Sequence, residues 1–385
     1  MDDPAPFVDA LLARGFTELA GVPCSTLRPL MAEVEHRPGL RYLTVSAEGE
    51  AIAYAAGAWL AGSRGVALLQ NSGLGNVLNP LASLAIPYRI PVLLIMTWRG
   101  RPEHDDAAHH RPTGAATPSI LSSLGIPWKL IDEQTPPLDA LRWADRVLEE
   151  ERRPVVLLVS RRTWAPVDDP DRAHRPAPRC DGEIPSPQLR VGNSRPGRGD
   201  VVAAVTELFA DEPIVATTGY MSRALSRGGC RENHFYMQGS MGFAPTLGLG
   251  IASVRPELRV FVLDGDGALL MQLGSLATIG AAAPRNLVHI VVDNGVYAST
   301  GGQPTASRVV SFPNLVSACG YARVRSCASG DELIDDLVWA ARRDQGPSLL
   351  RIAIHRREPT PLERPAATPA QITESFRRSL GREMS

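Results

Sequence analysis

Gly265-Asp266-Gly267 and, 27 residues beyond that aspartate, Asp293-Asn294 are the residues of this 385-residue chain whose types and spacing most directly imply chemistry. A carboxylate and an amide oxygen arriving at one place suit a hard cation such as Mg²⁺, which keeps oxygen ligands and bridges phosphates. The surrounding elements are of the kind that brings such groups together. Val260 to Leu263 is a short apolar run that reads as a buried strand, and Leu287 to Val292 is a second one that delivers Asn294 to the same sheet edge. Gly265 and Gly267 allow a tight turn and close approach of a ligand to the backbone. Ala268 to Ile279 carries helix-forming residues, so amides at that helix start can face an anion. A lone Gly-Asp-Gly is common in turns, and Asp293-Asn294 is what gives this one weight.

Together these residues resemble the thiamine diphosphate motif, which begins GDG and ends NN, with Asp293 standing for the first Asn. The resemblance implies that Asp266, the Asn294 side chain and the Val296 carbonyl hold Mg²⁺. It places Gly265, Gly267, Ala268 and Tyr297 among the contacts to the cofactor. It also implies a glutamate that hydrogen-bonds the aminopyrimidine ring, so that the thiazolium carbon can lose its proton. The segment Val45 to Gly57 has the expected form: Glu48 opens a helix of small residues, and Glu50 is out of register. Alone, Glu48 would read as a first-turn glutamate favoured by the helix dipole. Gln238-Gly239-Ser240-Met241-Gly242-Phe243 is similar to the family's loop before the diphosphate strand. There Met241 would wedge beneath the cofactor and the Gly239 carbonyl would accept from its amino group. Met is also an ordinary gap-filler of cores.

The elements that must position these groups follow a βαβ rhythm. Strands read at Glu18–Val22, Tyr42–Val45, Gly65–Gln70 and Val92–Thr97 alternate with helices at Phe7–Arg14, Leu27–Glu35, Glu48–Ala61 and Leu78–Ala85. A strand at Val155–Val159 closes the first domain, residues 1–160. Residues 161–198, rich in Pro, Arg and Gly, read as a linker, and a second α/β run, 199–385, ends on a strand at Ser348–Ile354. The expected fold is α/β: two doubly wound parallel-sheet domains of the thiamine diphosphate-binding type. The linker is too short for a middle domain.

With 40 Lys and Arg against 41 Asp and Glu, net charge −1 argues against nucleic acid or a membrane surface as the main partner. Lys129 is the only lysine. Five cysteines without framework spacing fit a reducing cytoplasm. The acidic N-terminus has no signal-peptide core, and no apolar stretch reaches the length of a membrane span.

The loops point to a substrate. Gly21 to Ser25 with Arg28, Gln70 to Asn76, Gly301 to Thr305 and the tail Leu362 to Pro369 resemble the phosphonopyruvate decarboxylases. That resemblance covers nearly the whole chain. It implies decarboxylation of 3-phosphonopyruvate to phosphonoacetaldehyde in phosphonate biosynthesis, and a homodimer or larger homo-oligomer with active sites between subunits. A doubly anionic 2-oxo acid needs donors and positive charge at both ends. Cys24, Ser25, Asn71, Ser72 and Asn76 are candidate donors and Arg28 a candidate counter-charge. A solvated helix residue at Arg28, a buried thiol at Cys24 and a plain turn at Asn71–Asn76 are the ordinary alternatives. His109-His110, on a mobile-looking loop from Arg99 to Gly114, are candidates for proton handling, His110 the better matched. Where that family usually has His-Asp after the metal-binding Asn, this chain has Tyr297-Ala298, which is closer to the sulfopyruvate decarboxylase pattern. Ser299 and Thr300 are the polar residues that would take over there. Two other classes stay open: a noncatalytic protein retaining the fold, and a dinucleotide-binding oxidoreductase. Neither Gly73-Leu74-Gly75 nor Gly248-Leu249-Gly250 completes GxGxxG.

Overall fold

The structure is a computed structural model that describes residues 1–165, 187–190, 194–342, 345–356 and 362–381. The chain forms two compact units, Met1–Ala177 and Pro178–Ser385. The linker read at 161–198 falls largely outside the described residues. Of its described part, Gln188–Arg190 is a strand of the second unit and Arg198 begins a helix, Arg198–Leu208.

In the first unit the strands are β1 Phe16–Gly21, β2 Arg41–Thr44, β3 Arg64–Gln70, β4 Leu93–Thr97, β5 Trp128–Ile131 and β6 Val155–Val159. They form one parallel sheet in the order β2-β1-β3-β4-β6-β5. Strand order reverses between β1 and β3, and in such sheets the crevice beyond the carboxyl ends at that point receives ligands. Val66 to Leu69 and Leu93 to Met96 are wholly buried, as expected of parallel strands covered on both faces. Val155–Val159, the last strand of this unit along the chain, lies inside the sheet, and β5, whose polar-interrupted run Trp128-Lys129-Leu130-Ile131 gives little apolar signal, takes the edge. The helix expected over Leu78–Ala85 is a helix Leu74–Pro80 that widens into a π turn, Leu81–Ala85, where Pro80 lacks an N–H.

The second unit contains β7 Gln188–Arg190, β8 Ile214–Ala216, β9 His234–Tyr236, β10 Val260–Gly265, β11 Leu287–Asp293, β14 Arg323–Cys327 and β15 Ser348–Ala353. They make a parallel sheet in the order β7-β14-β15-β11-β10-β8-β9, and a small antiparallel hairpin joins β12 Val296–Tyr297 to β13 Gln303–Pro304. Both halves are doubly wound α/β sheets. β10 and β11 pair Asp264 with Val291 and Gly265 with Val292, so Asp266 and Asn294 leave neighbouring strands at one edge. The single helix expected from Ala268 to Ile279 is two, Asp266–Met271 and Gly274–Ala282, broken where Gln272 turns out of the helical region.

His234 of β9 is 1 % exposed, and burial pulls its pKa down to about 4. The folded chain keeps this imidazole neutral while the unfolded chain protonates it below about 6.5. Its contribution is therefore present above pH 6.5 and lost as pH falls toward 4, about 3 kcal/mol over that window. His234→Phe is expected to flatten the fall of the thermal midpoint between pH 6.5 and 4. A slope equal to that of the parent chain would contradict this.

Candidate active site

In the second unit the loops after β8, β10 and β11 surround a cavity of about 400 Å³. β8 and β10 flank the reversal of strand order in this sheet, so the cavity stands where parallel sheets receive ligands. Gly265, Asp266, Gly267, Ala268, Asn294, Val296, Tyr297 and Met241 all line it, as do Ser299 and Thr300. Gly239 does not; it is half-buried two residues before Met241.

Asp266 is 2 % exposed and accepts from the Thr305 hydroxyl. Burial is the largest influence on this carboxyl and raises its pKa. Thr305 opposes, the Asp293 charge raises it further, and the Ser307 hydroxyl and Asn294 N–H lower it. Asn294 Oδ1 accepts the Val296 N–H at 3.2 Å, which folds the turn back on itself. A Cβ on Gly267 would stand 2.4 Å from Tyr297 Cε1, so this glycine is what lets the ring lie against the loop. Gly242 has φ +90°, and a Cβ there would meet Gln272 Cγ at 2.6 Å and the Ala268 carbonyl at 2.9 Å. This contact sets Met241 beside the Asp266 helix.

Asp293, the departure from NN, is held in an ion pair. Arg351 of β15 approaches its Oδ2 through Nε at 2.8 Å and Nη2 at 2.6 Å, and Oδ1 accepts from Gly295 N–H at 3.0 Å and the Ser307 hydroxyl at 3.2 Å. The carboxylate thus braces the turn that presents Asn294. Local spacing does not point to Ser307, Arg351, Thr217-Thr218 or Arg198, because each reaches the cavity or its brace from a distant strand or loop. Arg198 is 8 % exposed; burial pulls its pKa down to about 10, against the charges of Asp266 and Tyr220.

In the first unit Glu48 begins the helix Glu48–Leu60 just after β2 and is half-buried, whereas Glu50 turns inward with no exposure. Asn76 Nδ2 donates to Glu48 Oε2 at 2.7 Å. Asn76 therefore steadies the carboxylate with one of its two N–H groups. Gly73 sits so close that a Cβ would be 2.3 Å from Glu48 Oε1. Its backbone, φ −82° and ψ 2°, accepts alanine, so Gly73→Ala displaces the carboxylate rather than straining the chain. We expect kcat to fall on the order of tenfold to a hundredfold. The thermal midpoint should move by less than about 3 °C. Unchanged turnover would show that the carboxylate's position is immaterial.

The remaining residues singled out in this unit divide. Asn71 is wholly buried: Nδ2 donates to the Arg99 carbonyl at 2.9 Å and to Thr117 Oγ1 at 3.1 Å, and Oδ1 accepts from Arg99 N–H at 2.9 Å. Its amide is committed to tying β3 to the next loop. Cys24 is buried too, its thiol 3.4 Å from Gln70 Oε1 and 3.6 Å from Thr97 Oγ1. Ser25, Arg28 and Ser72 are exposed, and Ser72 accepts from Gln70 Nε2 at 2.6 Å.

The Arg99–Gly114 segment is braced rather than open. Asp106 accepts from Arg99 Nε at 2.8 Å and Nη2 at 2.6 Å and from two backbone N–H groups, and Arg99 holds its carboxyl below the usual range. Gly114 lies inside the helix Arg111–Ser123, where a Cβ would stand 1.9 Å from the Gly100 carbonyl oxygen. His110 is 8 % exposed and His109 exposed, their ring centroids 4.0 Å apart. Burial pulls the His110 imidazole down, Arg99 and His109 act the same way, and Asp106 opposes.

No group of three or more His, Cys, Asp and Glu side chains that could hold a metal occurs among the described residues. Asp266 and Asn294 bring a carboxylate and an amide oxygen to the lining of one cavity, with Val296 beside them, and such hard oxygens suit Mg²⁺. Nor is any described helix long and apolar enough to cross a membrane.

The chain is similar to known proteins over most of its length. Residues 217–352 match the thiamine pyrophosphate enzyme C-terminal binding domain, and residues 5–117 match the N-terminal binding domain. The phosphonopyruvate decarboxylase of Streptomyces viridochromogenes is 45 % identical, covering 97 % of this chain and 94 % of the relative. The sulfopyruvate decarboxylase of Methanosarcina acetivorans is 32 % identical, with 85 % of each chain covered. A putative thiamin diphosphate-dependent enzyme from Mycobacterium smegmatis shares the fold at TM-score 0.68 and 15 % identity, covering 92 % of this chain and 99 % of that one. The chain belongs to the thiamine pyrophosphate enzymes, in the family of the phosphonopyruvate decarboxylases.

Proposed function

We propose that the chain decarboxylates 3-phosphonopyruvate to phosphonoacetaldehyde and CO₂, using thiamine diphosphate and Mg²⁺. The observation that carries this reading is the oxygen set of Asp266, Asn294 and Val296 on a cavity that also holds arginines. Relatedness over nearly the full chain supports the substrate. When bound, the cofactor supplies a carbon nucleophile for the 2-oxo group and takes up the electron pair left as CO₂ departs. Asp266, the Asn294 side chain and the Val296 carbonyl hold Mg²⁺. Glu48, steadied by Asn76, receives the aminopyrimidine ring. Met241 and the Gly239 carbonyl orient the cofactor, and Tyr297 with Gly267 shapes the wall beside the metal. His110, kept largely neutral by its surroundings at neutral pH, exchanges a proton with substrate in this reading, with exposed His109 beside it. Ser25, Arg28 and Ser72 are exposed where they can meet the anionic substrate, and Ser299 and Thr300 line the metal-site cavity. The working form is a homodimer or larger assembly in the cytoplasm, with active sites formed between subunits.

Tyr297-Ala298 keeps sulfopyruvate as a second reading, since this pair stands where an ionisable His-Asp would otherwise face the anionic tail. Release of CO₂ and aldehyde from each of the two acids, with and without thiamine diphosphate and Mg²⁺, tests both. Cofactor-dependent turnover of phosphonopyruvate with the higher kcat/KM is the expected result. A protein that binds the cofactor yet leaves phosphonopyruvate intact sinks the proposal.

A further inference from the structure

The cavity holding Asp266 has three arginines on its walls, Arg198, Arg223 and Arg364, and Asp266 is the single carboxylate among its lining residues. Such a balance repels a bare cation. A divalent metal placed beside Asp266 would face the buried Arg198 guanidinium, so the walls suit a metal only when a polyanion accompanies it. Tyr220 organises two of the cations: its ring centroid lies 5.7 Å from Arg198 Cζ and 5.4 Å from Arg223 Cζ. Arg223 also donates to the Leu362 carbonyl at 3.2 Å, which ties the segment bearing Arg364 to the cavity. Asp200, the nearest acid along the chain, is occupied in capping Gly197 N–H at 2.8 Å.

Resting on the reading of this cavity as the thiamine diphosphate site, we propose that Arg198 binds the cofactor's diphosphate directly, so that the chain grips the diphosphate with a guanidinium as well as through the metal. A planar guanidinium matches two phosphate oxygens at once, and its burial keeps water from competing. Two consequences of opposite sign follow. Removing the charge weakens a diphosphate and strengthens bare Mg²⁺.

Isothermal titration of the full chain tests this with three probes: inorganic pyrophosphate in EDTA, Mg²⁺ alone, and thiamine diphosphate with Mg²⁺. The parent chain is expected to bind pyrophosphate without metal. Arg198→Met should bind it at least about tenfold more weakly and bind Mg²⁺ alone severalfold more tightly. Arg198→Lys, which keeps the charge on a well-tolerated stem, should fall between, and it carries the test should the methionine variant not fold. Pyrophosphate affinity within about twofold of the parent, equal weakening of both probes, or no metal-free binding by the parent would each overturn the inference. If the parent fails to bind thiamine diphosphate with Mg²⁺, the cofactor reading itself falls. If it binds and only the Arg198 effects are missing, the cofactor reading stands and the arginine role does not.

Discussion

Glu48→Gln is expected to lower kcat by about three orders of magnitude while thiamine diphosphate affinity stays within about threefold. The substitution is nearly isosteric. Its amide oxygen still accepts from Asn76 Nδ2, which meets Glu48 Oε2 at 2.7 Å, and the Gly73 backbone still borders the side chain. What disappears is the carboxylate, which in the proposed role would hydrogen-bond the aminopyrimidine and favour its reactive tautomer. In the proposed arrangement the second unit's cavity carries most of the binding, so binding and turnover should separate. Steady-state kinetics beside titration calorimetry decide the matter. Undiminished turnover with cofactor bound would remove Glu48 from the mechanism. The buried Glu50 is the contrast residue, for its change should act on folding first.

The second large effect is expected at Arg351. Arg351→Met strands the Asp293 carboxylate, 4 % exposed, beside Asp266, whose carboxyl already feels the Asp293 charge. Breaking a buried ion pair by removing one partner costs about 3–5 kcal/mol. The Arg351 side chain is 27 % exposed, so solvent screening trims the expected loss to about 2–3 kcal/mol. The thermal midpoint should drop by roughly 5–8 °C. Asp293→Asn in the same chain removes the orphaned charge and keeps an oxygen for the Gly295 N–H, so the double variant should regain most of the loss. Strictly additive destabilisation would show that the two side chains do not act as a pair. The same argument accounts for the departure from NN: an aspartate is tolerated beside Asn294, a proposed metal ligand, because β15 brings it an arginine.

Much of this was legible in the primary structure because it is local. Gly265-Asp266-Gly267, the apolar runs before it and before Asn294, and the glutamate opening a small-residue helix all lie within short windows whose periodicity and backbone demands can be read directly. The elements that escaped are those with weak local signal. β5 is four residues interrupted by Lys129, and β8 and β9 are three residues each. The break at Gln272 interrupts a run that composition alone makes helical.

Residue types and spacing by themselves determined the α/β sheet class, and the family resemblance carried by Gly265-Asp266-Gly267 and Asn294 pointed to thiamine diphosphate, as the matching domains bear out. Tertiary structure decided what each polar side chain is free to do. Asn71 and Cys24 carry the right chemistry for a substrate pocket, yet folding commits one to Arg99 and Thr117 and buries the other against Gln70 and Thr97. Asn76 is turned onto Glu48, and Asp293 is neutralised by Arg351, 58 positions along the chain. Hydrogen-bond partners across a parallel sheet come from strands far apart in sequence, and a buried polar group must take whichever partner the register provides. Type and spacing state what a side chain can do. Its partners settle what it does.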